Sequence, residues 1–280
     1  MRARASRPGS LPHMPLLEPG ERDAVTRAGD DIRALSKAAD DVITRCVNAP
    51  ASTSAVATSR GRKPDEYWLT TAYSSVLVAT DHLRALRAAW AAEQGMPHSA
   101  GYTLIRGAAE AAARACWLAD CSISSRQRIA RGILEWDYSM DRIRRADEDG
   151  EHARRIRAGF DTTIVDVGYP LLGRRVEGRI CDGERRPKIT DLMKAQLPVG
   201  GLAYALLSGY AHAEVWVMML DWEPAGPNGV VVALNITRQL NLLRVAALFL
   251  LKEAVGSLVE LAALDVSAWE RRALPLVFGR

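Results

Sequence analysis

The chain has 280 residues, 48% hydrophobic and 25% charged, with 37 Lys and Arg against 33 Asp and Glu for a net charge of +4. That apolar share excludes a globally disordered chain and supports one large core. The basic clusters Arg142/Arg144/Arg145 and Arg154/Arg155/Arg157 are separated by Asp147, Glu148, Asp149 and Glu151, so they read as a solvated, ion-paired surface. Nucleic acid as a partner therefore finds little support, since its binders concentrate positive charge on one face.

In chain order, residues 1–20, rich in Arg and Pro, carry no apolar signal-peptide core and read as a disordered tail ahead of a single helical domain over 21–280. Val25, Ala28, Ile32, Leu35, Ala39, Val42 and Cys46 then alternate by three and four, which predicts one amphipathic helix stopped by Pro50. Residues 50–64 form a small-residue linker. A long helix follows from Glu66 to about Gln94, and a turn at Met96–Ser99 leads into Ser99–Leu118, a helix apolar almost all round.

Ile129, Ile133, Trp136, Met140 and Ile143 mark the next stripe, extending towards Phe160 with a break near Gly150. Residues 161–189, punctuated by glycines and prolines, read as a loop-rich insertion with CDGE at Cys181–Glu184 as a tight turn. Thr190 is the expected N-cap of a short helix through Leu197. Leu202–Leu220 is a second almost wholly apolar helix, Val230–Val232 a brief extended piece, and Ile236–Leu264 the last long helix. The fold class expected is all-α: an orthogonal or up-down helical bundle of about six to eight helices.

Cys46, Cys116, Cys121 and Cys181 show no CxxC spacing, which argues against zinc and for free thiols in a reducing cytosol. The run Val245–Leu251, bracketed by Arg244 and Lys252, is far short of the roughly 20 apolar residues of a membrane span. A cytoplasmic protein with no membrane partner is expected. With neither a phosphate loop nor a dinucleotide fingerprint, no cofactor is expected.

Chemistry concentrates in two helices. Arg106, Glu110 and Arg114 are spaced by four along Ser99–Leu118, and Tyr204, Ser208 and His212 by four along Leu202–Leu220. Polar groups in apolar helices must find partners or cost a few kcal/mol each, on the order of 2–3. The economical arrangement presses these two rows together, Arg106 on Glu110 or a carbonyl, and His212 on Ser208, Glu110 or Asp81. The candidate binding set is Asp81, His82, Arg106, Glu110, Tyr204, Ser208 and His212; the catalytic candidates within it are Arg106, Glu110 and His212. Asp81, His82, Glu110, His212 and Glu214 are metal-ligand types, but ExxH and HxxxH spacings are absent, and no metal site is expected.

The stretches Thr103–Asp120 (TLIRGAAEAAARACWLAD), Tyr204–Trp216 (YALLSGYAHAEVW) and Asp81–Leu86 (DHLRAL) resemble those of a group of uncharacterised actinobacterial helical proteins, loosely similar to the HEPN helical superfamily. The resemblance implies an all-helical fold. Some HEPN proteins are ribonucleases of toxin and phage-defence systems, whose site resembles an Arg with a His about one turn on; ahead of His212 stand Leu206, Leu207 and Ser208 instead. The leading expectation is a non-catalytic binding or regulatory protein, a homodimer through an apolar helix face. The alternative is a HEPN-like ribonuclease rebuilt around Arg106, Glu110 and His212.

Overall fold

The seam of the first helix carries over to the computed structural model, which describes residues 17–48, 66–93, 98–146, 150–173, 179–197, 201–224, 230–232 and 235–278. In α1 (Pro19–Asn48), Val25, Ala28, Ile32, Leu35, Ala39, Val42 and Cys46 are all buried. Leu17 ahead of it is already in the core, so packing starts inside the expected tail. The rest of that tail, the linker 50–64 and part of the turn at 96–99 lie outside the described residues.

Helices α2 (Glu66–Glu93) and α3 (His98–Leu118) pack along their length, and α3 also meets α4 (Ser125–Ala146), α6 (Ile189–Gln196), α7 (Gly201–Ala211), α9 (Ile236–Leu242) and α10 (Phe249–Leu261). The cause is its composition. Ala108, Ala109, Ala112, Ala113 and Ala115 are wholly buried, and such short side chains let neighbouring helices approach from every side. Gly132 does the same for α4: a Cβ there would stand 2.2 Å from the backbone nitrogen of Trp68 on α2. Between α9 and α10 the chain makes a π turn, Leu243–Leu248, without interrupting the helix.

Helix α5 (Glu151–Asp166) follows a break at Gly150, whose φ of +67° is the expected interruption. The insertion is more ordered than its glycines suggest. Its first six residues continue α5, and strands β1 (Leu171–Leu172), β2 (Ile180–Cys181) and β3 (Glu184–Arg185) form an antiparallel sheet. Asp182 and Gly183 at φ +48° and +82° turn β2 into β3, so CDGE is a tight turn. Arg131 pairs with Glu184 at 2.8 Å, and Gln127 donates to Glu184 at 3.1 Å, fixing the sheet to α4. Helix α6 starts from Lys188, ahead of the expected Thr190 cap.

Leu202–Leu220 is not one helix. It divides into α7, the short α8 (Val215–Met218) and a 3-10 turn at Met219–Asp221. Strands β4 (Trp222–Pro224) and β5 (Val230–Val232) pair after it, and α11 (Val266–Phe278) closes the chain. With Ile236–Leu261 taken as continuous, ten helices stand among the described residues, more than the six to eight expected, because short helices escaped the periodicity. The architecture is all-α, with one small sheet and one two-stranded ribbon among the described residues. Among the described residues no helix is long and apolar enough to cross a membrane.

Candidate functional site

The two polar rows meet where α3 crosses the end of α7. Arg106 Nε donates to Glu110 Oε1 at 2.7 Å, Nη1 reaches His212 Nε2 at 2.8 Å, and Nη2 donates to the Tyr204 hydroxyl at 3.4 Å. Tyr204 in turn donates to the same Glu110 oxygen at 3.2 Å, and the guanidinium lies 5.5 Å from the Tyr204 ring centre. Arginine only donates, so Nε2 of His212 accepts and the neutral ring carries its proton on Nδ1. Burial opposes the charge on Arg106, but its bond to Glu110, the Glu110 charge and Tyr204 together outweigh it and hold the guanidinium above its ordinary pKa.

His212 is exposed, not buried as its apolar helix implied, and Arg106 and Glu110 are 19% and 28% exposed. The local chain explains this. His212 N–H donates to Ser208 O, Ala213 takes a left-handed φ of +53°, and Glu214 N–H returns to Gly209 O at 2.8 Å. That pattern ends α7 at its last turn. Gly209 accepts the returning chain closely, since a Cβ there would be 2.1 Å from Val217 Cγ2.

Three expected members, Asp81, His82 and Ser208, stand outside this quartet. Asp81 is 73% exposed and pairs with Arg84 at 3.1 Å, which also pairs with Asp40 on α1. Consecutive helical residues point about 100° apart, so only one of Asp81 and His82 faces α3. That one is His82, whose ring lies where a Cβ on Gly107 would meet it at 2.7 Å. Ser208 contributes its carbonyl to the helix end, and His212 takes Arg106 rather than the expected Ser208, Glu110 or Asp81.

A second polar cluster lies deeper and went unanticipated. Tyr102 and Tyr210 stack at 3.7 Å with 5° between planes, Tyr210 donates to Asp221 at 2.6 Å, and Arg238 donates to the Tyr210 hydroxyl at 2.8 Å and pairs with Asp221. Asp221 is 3% exposed. Burial, then the bond to Asp221, raises the Tyr210 phenol. The available signal was an aspartate closing an apolar run at Met218–Asp221. A cavity of about 390 Å³ between α7 and α9 is lined by Leu202, Leu206, Asn241, Leu242 and Val245, away from the Arg106 row.

Beyond His212 the chain exposes an apolar face: Val215 is 64% exposed, Trp216 46%, Met219 56% and Leu220 48%. The Trp216 indole N–H donates to Glu214 at 2.6 Å, so the ring's one polar atom is already bonded. Among the described residues no group of three His, Cys, Asp or Glu is placed to hold a metal ion. Comparison of the chain with protein-family models, curated proteins and solved structures finds no match.

Proposed function

We propose that the chain is a non-catalytic helical binding module that works as a homodimer through the face of Val215, Trp216, Met219 and Leu220. The observation carrying this reading is that face: four large apolar side chains exposed side by side on one short helical stretch. Tryptophan and methionine are enriched in interface cores. The Arg106 quartet has a positioning role here. It pins the last turn of α7 to α3, so the turn at Ala213 presents the face in one orientation. Sedimentation across a dilution series tests this. A dimer that dissociates to monomer in Trp216→Asp and Met219→Asp, with helicity unchanged, is expected. A wild-type monomer at the highest soluble concentration refutes it.

A second reading, metal-independent RNA cleavage, is favoured by one observation: the exposed His212 imidazole stands 2.8 Å from a guanidinium on another helix. In that chemistry His212 takes the 2′-hydroxyl proton as the 2′-oxygen bonds to the adjacent phosphorus, the bond from phosphorus to the 5′-oxygen breaks and that oxygen takes a proton from water, and Arg106 steadies the phosphoryl charge, which requires the Arg106–His212 bond to open first. RNA cleavage by wild-type protein, lost in a folded His212→Ala variant, would establish it. Intact RNA with the wild type removes it.

A further inference from the structure

Arg114, the third charge on the α3 line, belongs to neither of these clusters. It lies eight residues, about 12 Å, beyond Arg106. There it meets Glu135 on α4 at 2.5 Å, and Arg186, just after β3, donates to the same Glu135 oxygen at 2.9 Å. Arg186 also stacks 3.6 Å from the ring centre of Tyr138, one turn along α4. Arg142, one turn further, donates to the Tyr138 hydroxyl at 3.2 Å. Three guanidinium groups thus surround one buried carboxylate and one phenol, so the arginines of this cluster outnumber its carboxylate by two.

An imbalance of this kind is costly when partly buried. Arg114, Arg186 and Glu135 are only 14%, 23% and 8% exposed. Burial lowers the pKa of Arg114, Arg186 lowers it further, and only Glu135 and Tyr138 oppose them. The bond from Arg142, with Arg186 and Arg114 nearby, holds the Tyr138 phenol below its ordinary pKa despite some burial. Arg114 and Tyr138 both feel the neighbouring positive charge, and the phenol, 39% exposed, opens the cluster to solvent. Arg142 of α4 and Arg186 of the segment after β3 both contact Tyr138, Arg114 of α3 joins them through Glu135, and planar guanidinium groups match phosphate oxygens.

We propose that Arg114, Arg142, Arg186 and Tyr138 form a receptor for a single phosphate group, either free phosphate or the monoester of a small molecule. The dianion would neutralise the surplus charge, with the Tyr138 hydroxyl and the guanidinium N–H groups donating to its oxygens. This site is independent of the dimer face and of the Arg106 quartet.

The test titrates the full chain with inorganic phosphate, against chloride at matched ionic strength. Phenol absorbance, read as the difference from Tyr138→Phe, reports the site. Bound phosphate raises the pH at which Tyr138 ionises, because its negative charge replaces the cationic surroundings that favour phenolate. Arg142→Gln and Arg186→Gln should each weaken phosphate binding at least tenfold. Arg142 is exposed and does not pair with Glu135, so its variant keeps the test interpretable if Arg186→Gln unfolds. A nucleoside monophosphate binding tighter than phosphate identifies an esterified ligand, and equal affinity identifies the free ion. Identical responses to phosphate and chloride, or unchanged affinity in Arg142→Gln, overturn the proposal. So does a short single-stranded RNA that displaces phosphate with a salt dependence spanning several phosphates, since the face would then be a nucleic-acid surface.

Discussion

The same substitution, glycine to alanine, is expected to act with opposite signs at two helical positions. In α4, a methyl on Gly132 would stand 2.2 Å from Trp68 N, 2.6 Å from its Cα and 2.8 Å from its Cβ. Carbon contacts prefer about 3.5 Å or more, so α2 and α4 must separate by more than about 1 Å. The neighbour is backbone of a helix whose Trp68 is 1% exposed and whose Tyr67 stacks on Trp136 at 4.5 Å, so neither side gives way cheaply. Overpacking against so stiff a wall belongs at the upper end of its usual cost, about 3 kcal/mol. For a chain of this size that lowers Tm by about 6–12 °C. In α5, a methyl on the exposed Gly159 meets nothing within 4 Å. Gly159→Ala should therefore stabilise by about 0.5–1 kcal/mol, through helix propensity alone. Thermal and urea unfolding followed by circular dichroism measure both. A Gly132→Ala variant within about 0.5 kcal/mol of wild type would refute the packing argument.

Asp221→Asn should destabilise by about 3–5 kcal/mol, because it leaves the Arg238 charge against a neutral amide in a buried site; urea midpoints check this, and an unchanged midpoint contradicts it. The thiols predict a loss of stability at alkaline pH. Burial raises Cys121 and Cys181 to about 12 and moves Cys116 the same way, so the folded state keeps its protons while unfolded thiols ionise. Their contribution is complete below the unfolded thiol pKa of about 8.5 and falls from there towards pH 12. Cys121→Ala with Cys181→Ala should flatten that decline, and parallel pH–stability curves would show that the thiols do not cause it.

What the sequence discloses follows from how local each cause is. Periodicity is local, and the seam from Val25 to Cys46 emerged buried residue for residue. Two polar rows in otherwise apolar helices also had few places to go, so the meeting of Arg106, Glu110, Tyr204 and His212 was legible although 106 residues separate Arg106 from His212. The end of α7 was not legible, because Ala213 adopts a left-handed conformation that its residue type disfavours and that the returning chain imposes. The Glu135 cluster was hidden for a related reason. Arg186 reaches Glu135 from 51 residues away through a sheet whose strands are two residues long, too short for any alternation to register. Asp81 misled because a helical pattern gives a spacing without saying which of two adjacent residues faces inward.

The Arg106 quartet itself offers a way to separate position from chemistry. An ion pair at 19% and 28% exposure is partly screened, and matched apolar side chains can replace such pairs at little cost. Glu110→Leu alone strands the Arg106 charge and should cost about 1–2 kcal/mol. Arg106→Met with Glu110→Leu removes both charges and should return stability to within about 1 kcal/mol of wild type. If the quartet only fixes the register of α7 on α3, the double variant still dimerises, since the two apolar side chains it introduces would continue to pack the helices together. If the quartet orients the turn that presents Trp216, the double variant folds normally and dimerises more weakly. Equal losses of stability in single and double variants would mean that the two charges are not coupled, and the positioning role assigned to Arg106 would fail with them.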